Sequence, residues 1–140
     1  MCIRDSLQLQ HIDQALLKRQ RIDERYREAL ASVPGIDIVW QSTEKHNYSY
    51  FPVLVRKEFA VSRDDLYQRM RDNNILARRY FYPLISTFPM YRGLDSAKPD
   101  RLPVATDLSN QILCLPIFDS LTDEAFDSII DVIVSASNEN

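Results

Sequence analysis

Between Leu7 and about Val33 the apolar residues Ile12, Leu16, Ile22, Tyr26, Ala29 and Leu30 recur mostly at steps of three and four. Asp13, Lys18, Arg21, Asp23, Arg25 and Glu28 fill the positions between them. That period predicts an amphipathic helix longer than the usual three or four turns. Pro34-Gly35 ends it, since proline cannot continue a helix and glycine tolerates the cap conformation. A helix of this length with one apolar stripe is expected to brace something larger than a small domain of its own.

Past the turn the period shortens. Ile36, Ile38 and Trp40 alternate with Asp37 and Gln41, and Tyr48 to Val55 is aromatic and β-branched, so two strands are expected. Pro52 lies inside the second and cannot donate to a ladder, which predicts an edge strand or a bulge. Ser62 followed by Asp65 reads as a capping box opening a helix with Leu66 and Met70 on its buried side. Asn73-Asn74 closes that helix, and Ile75 to Phe81 reads as a third strand. From Pro83 to Arg101 no period holds, and a loop of that length is more often functional than decorative. Pro103 suits the first turn of a short helix with Val104, Leu108 and Ile112 on one side. Leu113 to Ile117 is a brief apolar run ended by Pro116. Thr122 to Ser137 carries Phe126, Ile129, Ile130, Ile133 and Val134 at helical spacing, with Asp123 and Glu124 in its first turn. The order predicts an α/β fold, an α+β small domain with a long N-terminal helix and a small sheet flanked by helices.

Composition narrows the chemistry. The 140 residues are 45% apolar and 26% charged, an ordinary globular mix large enough for one core. Seventeen Lys and Arg face twenty Asp and Glu, a net charge of -3 that argues against nucleic acid as a partner. Only two glycines occur, Gly35 and Gly93, so no P-loop or dinucleotide fingerprint can form. Cys2 and Cys114 have neither CxxC spacing nor a companion histidine, so no metal site is expected and a reducing compartment is favoured. No apolar run reads as a signal peptide or membrane span, and a cytoplasmic location is expected. The opening MCIRDS resembles translated library-adapter sequence, so Met1–Ser6 are expected to be non-native and the domain to run over 7–140.

The densest aromatic and basic patch is Arg78-Arg79-Tyr80-Phe81-Tyr82, with Phe88 and Tyr91 nearby. Aromatic rings with guanidinium groups can stack a nucleotide base or grip a diphosphate. The plainer alternative is a strand whose alternate side chains pack while its arginines face solvent. His11 and His46 are isolated from any ligand set, and the carboxylate pairs Asp64-Asp65 and Asp123-Glu124 sit where helix capping accounts for them. Cys114, in an apolar run, reads as a small buried hydrophobe. Lys18, Lys45, Lys57 and Lys98 all lie in polar stretches, so none is a desolvated amine suited to covalent catalysis. No catalytic residue is assigned.

The order of segments resembles one family. LQHIDQALLKRQRIDERYREALASVPGI is similar to the long helix leading into the small domain of DegT/DnrJ/EryC1/StrS sugar aminotransferases, with Lys18-Arg19, Tyr26, Leu30 and Pro34-Gly35-Ile36 matching the usual run. NYSYFPVLV, the helix ending in DNNI, ARRYFYPL and LPVATDLSNQILCLPIFDSLTDEAFDSIIDVI resemble the elements that follow, in order from Leu7 to about Ile133. The wording of NYSYFP and ARRYFYPL is most similar to the branch that makes dTDP-4-amino-4,6-dideoxyglucose.

The resemblance implies the C-terminal domain of a fold-type-I pyridoxal 5'-phosphate (PLP) aminotransferase. Such enzymes are homodimers that move an amino group from glutamate to a nucleoside-diphosphate-linked keto-sugar, for polysaccharide synthesis such as lipopolysaccharide O-antigen. It also implies that the large, PLP-binding domain, with its lysine, lies upstream and that this piece alone is inactive. Family members often carry a His-Tyr-Pro-like segment facing the substrate; Tyr82 and Pro83 match it, while Phe81 stands where histidine is common. Arg78, Tyr80, Phe81 and Tyr82 are thereby implied as substrate-binding. Two alternatives remain at this stage: a sugar dehydratase of the same fold with histidine in place of the lysine, and a stand-alone nucleotide-sugar-binding module.

Overall fold

The computed structural model describes residues 9–39 and 47–139. Among the described residues, four helices and three strands follow one another as α1 (Ile12–Leu30), β1 (Ile36–Ile38), β2 (Phe51–Val55), α2 (Arg63–Asp72), α3 (Pro103–Gln111), β3 (Ile112–Leu115) and α4 (Asp123–Ser137). Single 3-10 turns at Ile85–Thr87, Asp95–Ala97 and Pro99–Arg101 punctuate the aperiodic stretch. The strands form one antiparallel sheet in the order β1-β2-β3. This is the small sheet with flanking helices that the residue pattern predicts.

One face of the sheet carries the main core. Phe51, Val53 and Val55 of β2 and Leu113 and Leu115 of β3 pack with Ile22, Tyr26 and Leu30 of α1, Leu66 and Met70 of α2, and Phe126, Ile129 and Ile133 of α4. The other face holds Leu54 and Cys114, buried but outside that cluster, and α3 lies against β2. Ile22, Tyr26 and Leu30 follow one another at steps of four, so they share one face of α1. Ile12 and Leu17, nearer its N-terminus, stay exposed.

Tyr26 is the centre of this arrangement. Fully buried, its ring lies 4.8 Å from that of Phe51 and 4.7 Å from that of Phe126, joining α1, β2 and α4. Its hydroxyl donates to the Pro116 carbonyl at 2.9 Å, tying the end of β3 to the same point. Burial raises the Tyr26 pKa far above its ordinary value, so the phenol stays a neutral donor.

The helix ends follow local rules. Ser62 Oγ accepts from the Asp65 N–H at 3.2 Å and donates to the Asp65 carboxylate, and Thr122 accepts from the Ala125 N–H at 3.2 Å. Gly35 has φ +78°, and a Cβ there would lie 2.4 Å from the Phe59 backbone nitrogen, so only glycine fits.

Four expectations need correction. Pro52 is neither at an edge nor in a bulge: β2 is the central strand, and Pro52 pairs in unbroken register with Cys114. Its carbonyl accepts from the Val39 N–H at 3.5 Å, one position past the last β1 pair, so the donor it lacks would face the frayed end of that ladder. Second, Ile75–Phe81 is not a strand but touches the sheet at one bridge, Arg78 to Cys114.

Backbone chemistry explains that release. In the register of the bridge, Leu76 would face Pro116, which has no N–H and whose carbonyl serves Tyr26. Tyr80 would face Ile112, whose N–H donates to Leu108 and whose carbonyl accepts from Arg63. Both neighbouring rungs therefore lack a free backbone donor on the β3 side.

Third, α3 forms as expected but buries Ser109, while Val104 is 69% exposed, Leu108 is exposed and Ile112 belongs to β3. Fourth, β2 begins at Phe51 rather than Tyr48, whose φ of +48° breaks the extended run. Trp40, the end of the expected first strand, and Met1–Ser6 lie outside the described residues.

Tyr26→Phe is expected to destabilise the chain by about 1 kcal/mol, the net worth of one buried hydrogen bond. Tyr26→Ala is expected to cost about 3–5 kcal/mol through lost burial and a cavity. Urea unfolding of the three proteins checks both, and equal losses would show that the hydroxyl rather than the ring holds the elements together.

Candidate functional site

Released from the ladder, the segment after α2 keeps the alternation of an extended chain. Ile75 and Ala77 are buried in the core, so Leu76, Arg78 and Tyr80 share the opposite side. Tyr50 stands one residue before β2, on the side of Pro52 and opposite the core residue Phe51. Its ring meets that of Tyr80 at 5.4 Å, and Tyr80 meets Phe81 at 4.2 Å. Phe81 is 68% exposed and held at φ +46°, an unfavourable backbone for a bulky residue. Where the segment splays from β3, a cavity of about 680 Å³ opens, with Arg78 and Cys114 in its wall.

Arg79 and Tyr82 go elsewhere. The Arg79 guanidinium is sandwiched between the rings of Tyr67 and Tyr82, 4.6 Å from each, and pairs with Asp64 at 3.2 Å. Arg63 is almost fully buried; its Nη1 donates to the carbonyls of Ser109 at 2.9 Å and Ile112 at 3.0 Å. It thus caps the C-terminal end of α3, where a cation complements the helix dipole. Its Nε donates to Asp64 at 2.9 Å, and its guanidinium lies 4.8 Å from the Tyr82 ring. Asp64 therefore links two arginines, which corrects the reading of Asp64-Asp65 as capping alone; Asp65 is the cap partner.

The four residues implied as substrate-binding thus divide. Arg78 lines the cavity, Tyr80 and Phe81 stack beside Tyr50, and Tyr82 packs on the Arg63–Arg79 pair. Tyr50, Arg63 and Tyr67 were not singled out in the sequence. The core position of Phe51 puts Tyr50 on the other side by alternation, a signal available beforehand; Arg63 looks like any helix-start arginine until α3 arrives beside it.

Cys114 is buried and free, the small hydrophobe its run suggests. Burial pushes its thiol up to about 11, with the Arg78 charge opposing the shift. His11 is exposed at the start of α1, and His46 and Lys45 lie outside the described residues. Among the described residues no three His, Cys, Asp or Glu gather to hold a metal ion, and no helix is long and apolar enough to cross a membrane.

A long helix feeding a small antiparallel sheet, with helices over both faces, is an arrangement that this chain shares with about a third of the length of solved aminotransferases. The chain superposes on PseC, an aminotransferase involved in pseudoaminic acid biosynthesis from Helicobacter pylori, with a TM-score of 0.83 over 95% of this chain and 35% of that one, at 19% identity. It is 49% identical over 119 residues to a dTDP-4-amino-4,6-dideoxy-D-glucose transaminase of Escherichia coli, covering 84% of this chain and 32% of that protein. A transaminase of the same name from Shigella dysenteriae is 39% identical over 128 residues, covering 91% and 34%. The DegT/DnrJ/EryC1/StrS aminotransferase family matches residues 5–134, and the chain belongs to that family. It spans about a third of the length of the curated relatives it matches.

With Cys2 replaced by serine, Cys114 is expected to react slowly with iodoacetamide at pH 8, where roughly one thiol in a thousand is ionised. The rate should rise about tenfold per pH unit toward pH 11. A pH-rate series on the folded chain checks this; a plateau near pH 9 would mean the thiol is not desolvated.

Proposed function

We propose that this chain is the C-terminal, small-domain part of a PLP-dependent sugar aminotransferase. Its full-length protein moves an amino group from glutamate to C4 of a dTDP-linked 4-keto-6-deoxy sugar, giving dTDP-4-amino-4,6-dideoxyglucose. The observation that carries this reading is the 49% identity to the Escherichia coli transaminase across 84% of the chain. We place the enzyme in the cytoplasm as a homodimer serving polysaccharide synthesis such as O-antigen.

PLP supplies an electron sink for such a transfer. The described residues do not fit a PLP carrier: Lys18, Lys57 and Lys98 are exposed, and Lys98 Nζ pairs with Asp95 at 2.7 Å. None of them is desolvated in the way that an amine serving covalent catalysis is. The part assigned to this chain is to shape one wall of the sugar-nucleotide pocket with Arg78, Tyr80, Phe81 and Tyr82. Tyr82 is held by Arg63 and Arg79, a rigid placement suited to positioning a substrate.

The surface supports a large docking partner. Ile85 is 64% and Met90 70% exposed, and Leu94, Val104, Ile12 and Leu17 are exposed as well. So many uncovered large apolar side chains suit an interface, here with the upstream domain.

The full-length protein, incubated with glutamate and the dTDP-4-keto-6-deoxy sugar, is expected to release 2-oxoglutarate and the amino sugar in equal amounts. Loss of the keto-sugar without 2-oxoglutarate would overturn amino transfer. The 140-residue chain alone is expected to enhance anilinonaphthalene sulfonate fluorescence and to self-associate in analytical ultracentrifugation. A dye-silent monomer would overturn the docking surface.

A further inference from the structure

We propose that Asp64 is a positioning residue: by tying Arg79 to the buried Arg63 it holds Tyr82 in place and fixes how the neighbouring Phe81 is presented to the substrate. It rests on the sugar aminotransferase reading above and names the side chain on which that wall of the pocket depends.

Tyr82 has two cations against its ring, the Arg79 guanidinium at 4.6 Å and that of Arg63 at 4.8 Å. Two like charges so close to one ring repel each other unless an anion stands with them. Asp64 is that anion: its Oδ1 accepts from Arg63 Nε at 2.9 Å and from Arg79 Nη1 at 3.2 Å. The two arginines differ in what else holds them. Arg63 is buried and bound to the carbonyls of Ser109 and Ile112, so it stays where it is. Arg79 is 33% exposed, and beyond Asp64 it meets the rings of Tyr67 and Tyr82 alone among the described residues. Without the negative charge Arg79 is the partner that moves, and the clamp on Tyr82 opens from that side.

Phe81 depends on this clamp. Its φ of +46° is one that a bulky residue keeps only where the flanking structure imposes it. On its N-terminal side Tyr80 packs against Tyr50, close to the bridge between Arg78 and Cys114. On its C-terminal side the restraint is Tyr82. Beyond it, the hydrogen-bonded backbone N–H groups from Thr87 to Leu102 reach residues three or four back, so that stretch does not tie the turn to the sheet. Asp64 is itself half exposed, and an ion pair open to water adds little to stability, so its worth lies in geometry. Asp65 provides a control one residue away, since it caps α2 with Ser62 and bonds to neither arginine.

Steady-state kinetics of the full-length protein tests the role. Asp64→Asn is expected to raise KM for the keto-sugar about tenfold, while kcat and KM for glutamate stay within about twofold. Asp64→Glu keeps the charge and is expected to recover most of the loss. Arg79→Lys keeps the charge but lacks the planar fork, and is expected to behave like Asp64→Asn. Asp65→Ala is expected to lower the thermal midpoint and leave KM unmoved. An unmoved KM in Asp64→Asn, or an equal rise in Asp65→Ala, would overturn the positioning role.

A second readout needs no turnover. With 4-fluorophenylalanine in place of Phe81 in the full-length protein, one fluorine NMR line is expected in the parent and in Asp64→Glu, and a split or shifted line in Asp64→Asn. That pattern in a protein that transfers no amino group sustains the hold of Asp64 on Phe81 and overturns the activity. A line that Asp64→Asn leaves unchanged, in a protein that still transfers the amino group, overturns the proposal and leaves the activity standing.

Discussion

The fold turns on one buried tyrosine. The Tyr26 ring packs on a central-strand ring and on a C-terminal-helix ring, while its hydroxyl donates to the carbonyl of Pro116. A long helix that begins with exposed apolar residues would gain little from its own propensity. Its C-terminal half is fixed because one side chain meets three elements in the same place. Arg25, the next residue back, adds a surface clasp to α4 through Asp123 and stacks 4.0 Å from Phe126. The worth of the clasp is modest beside ring burial, since both partners are solvent-accessible.

That hydrogen bond reaches beyond stability. Pro116 has no N–H to offer a fourth strand at Leu76 and its carbonyl already accepts from Tyr26, while the Ile112 N–H is given to Leu108 and its carbonyl accepts from Arg63. Backbone groups already committed elsewhere thus set where the ladder stops. The segment carrying Arg78 and Tyr80 leaves the sheet after one bridge, and the cavity is the space created by its departure.

Charge is sorted along the same segment. Arg79 is immobilised between two tyrosine rings and an aspartate, and Arg63 is spent on carbonyls that end a helix. Adjacent in sequence to Arg79, Arg78 has the opposite fate because an extended chain sends neighbours to opposite sides. One arginine is architectural and the other is free, and only the free one borders the cavity.

The periodicities of residues 12–30, 63–72 and 123–137 determined the helices, because each buries one stripe against whatever sheet is present. Ser62, Thr122 and Gly35 determined ends and turns, since capping and left-handed backbone are local requirements. The likeness of successive segments to one family was legible for the same reason: chain order is a property of sequence. Strand neighbours were not. Pro52 looked like an edge residue because its missing donor was visible but the end of β1 beside it was not. Ile75–Phe81 had the composition of a strand, yet its partners' backbone groups were claimed by Tyr26, Leu108 and Arg63, residues distant along the chain. The aromatic-basic patch was legible as a cluster, while its division into a held half and an open half came from side-chain alternation around a bridge that only the packed sheet creates. Local chemistry is written in neighbours along the chain; which backbone groups remain free to pair is decided by neighbours in space.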